Sequence, residues 1–136
     1  MARVLIVDDE PTILLVLEAL LQSAGHEVVT AEGAEKAVEV LTTTGFDLLI
    51  SDVRMYPMDG VQLLKFARSR FPNLPAIMVT AFDLPDAKQT SAELGAFAYL
   101  RKPFNNSSLL AAVEQAISQM KNSKGNPGTD PGKKTE

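Results

Sequence analysis

Short apolar runs that alternate with stretches of helical period predict a doubly wound α/β fold, in which five parallel strands form a sheet covered by helices on both faces. Three observations carry this expectation. The strand-like runs are apolar almost throughout, as strands buried on both faces must be. Each is followed by a segment that repeats its apolar residues at helical spacing. Finally, four of the runs deliver polar residues at their C-terminal ends: Asp8 and Asp9, Asp52, Thr80, and Lys102. In open parallel sheets ligands sit outside the carboxyl ends of the strands, where the strand order reverses. With the order 2-1-3-4-5, the first and third strands flank that point, and Asp8, Asp9 and Asp52 converge on it.

The elements follow in order. Residues 3–7 read as a buried strand, and a helix begins near Pro11, a favoured first-turn residue. Its apolar stripe is Ile13, Leu14, Val16, Leu17, Leu20 and Leu21, and Gly25 is the expected stop. A short strand spans 27–31. The second helix, 34–43, places Ala37, Val38 and Leu41 on one face and ends at Gly45. The third strand is 46–51, closed by Asp52. A helix over 61–70 stops before Pro72, and Pro75 introduces the strand 76–80. Residues 86–94 form a weak helix whose apolar face is only Leu84, Ala87 and Leu94. The last strand is 97–101, and the last helix, 107–120, carries Leu110, Val113, Ala116, Ile117 and Met120.

The totals bound the function. A chain of 136 residues, 46% hydrophobic and 22% charged, is the size of one globular domain. Its net charge of −4 argues against non-specific binding to nucleic acid. From Lys121 onward four lysines face two acids, so the tail is +2 and the body, by difference, −6. With no cysteine, disulfides and thiolate metal sites are excluded. No apolar stretch approaches the ~20 residues of a membrane span, and the N-terminus runs too soon into acids for a signal peptide. A soluble, cytoplasmic protein is expected. After Asn122 the chain loses apolar periodicity and gains Gly and Pro. The expected organisation is therefore a domain over 1–121 and a disordered tail or truncated linker over 122–136.

Simpler roles compete for several of these residues. Asp8 and Asp9, just before Pro11, could cap a helix N-terminus. Asp59 before Gly60 reads as a turn and cap residue, Met55 and Met58 as packing, and His26 as a surface residue at a helix–strand turn.

Taken together, Val-Asp-Asp-Glu-Pro at 7–11, Ser-Asp-Val-Arg-Met at 51–55, Met-Asp-Gly at 58–60, Val-Thr-Ala at 79–81 and Tyr-Leu-Arg-Lys-Pro-Phe at 99–104 resemble the receiver domain of two-component response regulators, in order and spacing over residues 1–120. The resemblance implies a flavodoxin-like (βα)5 fold and a signalling domain, not an enzyme, that promotes only its own phosphorylation and dephosphorylation. It implies that Asp52 accepts a phosphoryl group from a histidine kinase or phosphotransfer protein. It also implies Mg²⁺, held by Asp9 directly, by Asp8 through water, and by Asp52 and the backbone carbonyl of Arg54. The chemistry agrees: a carboxylate attacks an anionic phosphate poorly unless a cation lowers the repulsion, and carboxylates are hard ligands suited to Mg²⁺. By the same resemblance Lys102 pairs with phosphoryl oxygens, the Lys102–Pro103 bond is cis, and Thr80 and Tyr99 are a switch pair. Their movement alters the surface of the fourth helix, fifth strand and fifth helix, which controls a partner or an output domain and can form a homodimer on phosphorylation. No direct contact with nucleic acid or membrane is implied for this segment.

The chain departs from the family pattern in one loop, Met55-Tyr56-Pro57-Met58-Asp59-Gly60, where Tyr56 stands at the usual proline position and proline comes one place later. Arg54 and Phe82, each two residues past a site residue, are bulky where relatives border the hydrolytic water's path, and imply a long-lived aspartyl phosphate. Two other functional classes compete with this reading. A Mg²⁺-dependent phosphatase or hydrolase with an Asp nucleophile needs Asp-x-Asp at the first strand and a cap domain, whereas the chain reads Asp8-Asp9-Glu10. A flavin carrier needs a Ser/Thr/Gly-rich phosphate loop there, and acids repel phosphate.

Overall fold

The computed structural model describes residues 2–81 and 84–125. Phe82 and the tail residues 126–136 lie outside the described residues, so the expectations that concern them do too. Ten elements alternate without interruption: β1 (Arg3–Val7), α1 (Pro11–Ser23), β2 (Glu27–Ala31), α2 (Ala34–Thr43), β3 (Leu48–Asp52), α3 (Gly60–Arg70), β4 (Ala76–Thr80), α4 (Pro85–Glu93), β5 (Ala98–Arg101) and α5 (Asn106–Gly125). All strand pairs are parallel, in the order β2-β1-β3-β4-β5.

Side-chain alternation along the strands divides the interior in two. On one face Val4 and Ile6 of β1, Leu48 and Ile50 of β3, and Ile77 and Val79 of β4 pack with α1 and α5. On the other, Leu5, Val7, Leu49 and Met78 pack with α2 and α3. All residues of β3 and β4 are buried. A doubly wound sheet is therefore what the apolar runs encode, because a strand covered on both faces has no solvent side to alternate toward.

Several boundaries shift for identifiable reasons. β3 begins at Leu48 rather than Phe46, and Asp52 is its last residue rather than the one after it. Asp47 is spent on joining β1, where its side chain accepts from Arg3 N–H at 2.9 Å and its own N–H donates to the Arg3 carbonyl at 2.8 Å. The helix α5 includes 122–125, where the composition predicts the tail. Val16, expected on the buried stripe of α1, is 57% exposed, and the inward residues are Leu14, Leu17 and Leu21. Gly25 has φ +94° between α1 and β2, a conformation that favours glycine at a helix stop.

His26 corrects the expectation of a surface residue. Its ring is buried: Nδ1 accepts from the Ala2 N–H at 3.3 Å, and Nε2 lies 2.8 Å from the Glu114 carboxylate on α5. A partner 88 positions away leaves no local trace in the sequence. The caps also sort themselves out. The residue before α1 is Glu10, no side chain caps that helix, and neither Asp8 nor Asp9 takes the role. Asp59 does cap α3, in a reciprocal capping box with Gln62 at 2.9 and 3.1 Å.

Candidate phosphoacceptor site

The parallel register brings the polar strand ends together. Val7 pairs with Ser51, Asp52 with Val79, and Thr80 with Arg101, so Asp8, Asp52, Thr80 and Lys102 emerge along one edge. Lys102 is tied to that edge by its backbone, whose N–H donates to the Thr80 carbonyl at 2.7 Å. The Lys102–Pro103 bond is cis, as expected, and Tyr56–Pro57 is cis as well.

The carboxylates of Asp8, Asp9 and Asp52 offer oxygens that all lie within 4.8 Å of one another. Asp8 is 1% exposed and Asp52 6%. Lys102 bridges the two buried acids: its Nζ donates to Asp8 Oδ2 at 2.8 Å and lies 3.7 Å from Asp52 Oδ1. The other Asp8 oxygen accepts from Glu10 N–H at 3.0 Å, and Asp52 Oδ1 accepts from Val53 N–H at 2.9 Å. Above them opens a cavity of about 460 Å³ lined by Asp9, Glu10, Asp52, Arg54, Met55, Tyr56, Ala81 and Lys102. Three carboxylates thus line the cleft with two cations, and the buried Asp8 adds a fourth negative charge close by, which favours binding a further cation.

This crowding perturbs the titration of Asp52. Burial, followed by repulsion from Asp8, pushes its carboxyl up to about 6, against the opposing pull of Lys102 and the Val53 N–H. For Lys102 burial works against the charge, but the hydrogen bond to Asp8 and the charges of Asp52, Asp8 and Glu10 outweigh it, so its pKa moves up. A buried acid that is costly to ionise beside a held lysine is a common arrangement at reactive sites.

Hard oxygen donors at this spacing, without nitrogen or sulfur ligands among them, fit Mg²⁺. Thr80 is fully buried at the end of β4, next to Ala81 of the cavity lining, and Tyr99 is half-buried on β5, packed toward the cluster that holds α3 and α4. Arg54 is exposed at the rim. All the residues singled out at the strand ends are therefore on one side of the sheet, with Tyr99 removed from the cavity lining.

Two contributions escaped the sequence reading. Gly60 donates its N–H to the Val53 carbonyl at 2.8 Å, and any Cβ there would collide with the backbone carbonyl of Asp52. The Met-Asp-Gly motif marked the position without showing that its close neighbour is the acid itself. Glu10 lines the cavity and acts on Lys102, and its place in the Asp-Asp-Glu run was the available signal.

Comparison with known proteins identifies the family and agrees with the fold. The model of the response regulator receiver domain family matches residues 4–114. The DNA-binding transcriptional regulator NtrC of Klebsiella pneumoniae is 44% identical over 113 residues, covering 83% of this chain and 24% of that protein. The response regulator protein FleR of Pseudomonas aeruginosa is 41% identical over 120 residues, covering 88% and 25%. The chain thus spans about a quarter of the length of the curated relatives it matches. Among solved structures, a CheY-like receiver domain protein from Methanospirillum hungatei superposes with a TM-score of 0.88 at 30% identity, covering 90% of this chain and 98% of that one. The response regulator TrrA of Thermotoga maritima, solved in complex with Mg²⁺-BeF, superposes at 0.79 with 32% identity, covering 85% and 99%. A phosphatase reading finds no support in these relatives. Among the described residues, no helix is long and apolar enough to cross a membrane.

Proposed function

This chain belongs to the response-regulator receiver domains of two-component signalling, and from that membership we propose that Asp52 is its phosphoacceptor. The observation that carries the assignment is the trio of carboxylates within 4.8 Å with Lys102 held 2.8 Å from one and 3.7 Å from another. An Asp52 oxygen attacks the phosphorus of a phosphohistidine on a histidine kinase or phosphotransfer protein. The new P–O bond forms as the P–N bond breaks, and the electron pair returns to the imidazole nitrogen. Lys102 is held in reach of the incoming phosphoryl oxygens as a point charge. Asp8, Asp9, Asp52 and the Arg54 carbonyl are the ligands assigned to Mg²⁺, which when bound supplies the positive charge that lets two anions meet. The buried Asp8 keeps Lys102 aimed into the site, and Val53 N–H orients the attacking carboxylate.

Thr80 and Tyr99 report the event. The Thr80 hydroxyl turns to a phosphoryl oxygen, and the Tyr99 ring moves into the space it leaves. This biases the α4–β5–α5 surface toward a second arrangement that a downstream partner, an attached output domain or a second copy recognises. The chain promotes only its own phosphorylation and dephosphorylation, and acts in the cytoplasm with its kinase. Incubation with acetyl phosphate or a beryllofluoride mimic tests the reading. Modification that requires Mg²⁺ and is lost in Asp52→Asn supports it, and modification that survives in Asp52→Asn sinks it.

A further inference from the structure

One aromatic side chain at the mouth of the cavity has no part in its arrangement of charges. Tyr56 is 90% exposed, against 67% for Leu15 and 57% for Val16, and of these three it alone lines the cavity with Asp52, Arg54 and Lys102. The loop that displays it is anchored on both sides. Met55 before it is buried in the core, while Asp59 and Gly60 after it are fastened by the capping box and by the bond to the Val53 carbonyl. A ring left this far in water adds little to folding, because little of its surface is buried. The carboxylates and cations of the site suit a cation and a phosphoryl group. Those charges draw a cationic ring toward the cleft, but none of them offers a flat apolar surface to the heterocycle from which the phosphoryl group departs. The electron-rich face of a tyrosine does, because an aromatic quadrupole attracts a cationic ring.

We propose that Tyr56 is a specificity-determining residue that receives the imidazole of the phosphodonor; the proposal rests on Asp52 being the acceptor. In the donor, one ring nitrogen bears the phosphoryl group and the other a proton, so the ring is cationic as it approaches. Asp52 forms its bond to phosphorus, the P–N bond breaks, and its electron pair returns to the ring. The proton stays on the other nitrogen, and neutral imidazole leaves. Tyr56 holds the cationic ring over the cavity through this step. Donors without a ring gain nothing from it.

The test compares phosphoimidazole with phosphoramidate, which share a P–N bond and differ in the ring. Phosphorylation rates at Asp52 are measured with Mg²⁺ for the parent, Tyr56→Leu and Tyr56→Phe, with folding checked by circular dichroism. Tyr56→Leu is expected to slow transfer from phosphoimidazole by roughly two- to fivefold, the size of an exposed cation–π contact, and to leave phosphoramidate unchanged. Tyr56→Phe retains both rates. Equal slowing of both donors, or no change with either, overturns the role of Tyr56 while leaving Asp52 as acceptor. A folded parent that accepts from neither donor overturns both readings.

Discussion

The β3–β4 centre of the sheet and its α4–β5 flank are built to different standards. Every residue of β3 and β4 is buried, whereas no residue of β5 is fully buried, and its last, Arg101, is exposed. The helix over the flank is weaker still. The single buried side chain of α4 is Ser91, whose hydroxyl has no hydrogen-bond partner among the described residues. The difference teaches where a signal can travel. Asp52, the proposed acceptor, stands on the fully buried part, so its geometry against Asp8 and Lys102 is maintained. The neighbouring flank is held by few apolar contacts, and elements that move are drawn from that end of the stability range.

Truncation tests the contrast most severely. Ile50→Ala in β3 is expected to cost about 3–4 kcal/mol and Leu100→Ala in β5 about 1–2, by urea unfolding. Equal losses would erase the distinction between the two regions.

A second large effect belongs to Asp52. Its folded pKa of about 6, raised from 3.8, means that the folded state binds this proton more tightly than the unfolded chain. Stability from this group is therefore fully present below about pH 4, falls as pH rises to about 6, and stays low above. With Mg²⁺ chelated, Asp52→Asn should stabilise the protein at pH 7.5 by up to about 3 kcal/mol, a gain that vanishes near pH 4. Restoring Mg²⁺ should stabilise the parent more than the variant, since a cation that binds only the folded state adds to its stability. A constant gap across pH would show that the site exerts no charge strain.

On the soft flank, Ser91→Ala should stabilise the protein by about 1 kcal/mol, because it removes a buried hydroxyl without a partner. Hydrogen exchange should slow in α4 before it slows in β3; uniform slowing would place the effect outside the flank. The smallest effect is kinetic. Arg54 at the rim is expected to shield the aspartyl phosphate, so Arg54→Ala should lose its phosphoryl group modestly faster than the parent in Mg²⁺. Faster loss from the parent ends that idea.

Much of this was legible in the chain. Element order and strand-end chemistry follow from periodicity and from where Asp8, Asp9, Asp52, Thr80 and Lys102 fall, since a strand buried on both faces must be apolar until it leaves the sheet. The helix ends were less legible: Asp59 was readable as a cap from its place before Gly60, while Val16 belonged to an apolar stripe too broad to say which residues face inward. What stayed hidden were relations between distant positions. His26 and Glu114, Lys102 and Asp8, and Gly60 against the Asp52 carbonyl meet because strands and helices pack, and no local pattern encodes a partner elsewhere in the chain. The sequence by itself determined the architecture and the kinds of group gathered at the strand ends. The tertiary structure alone decided how deeply Asp52 is buried, how closely Lys102 is held, and that Tyr56 stands out in water, because burial and distance are properties of packed surfaces.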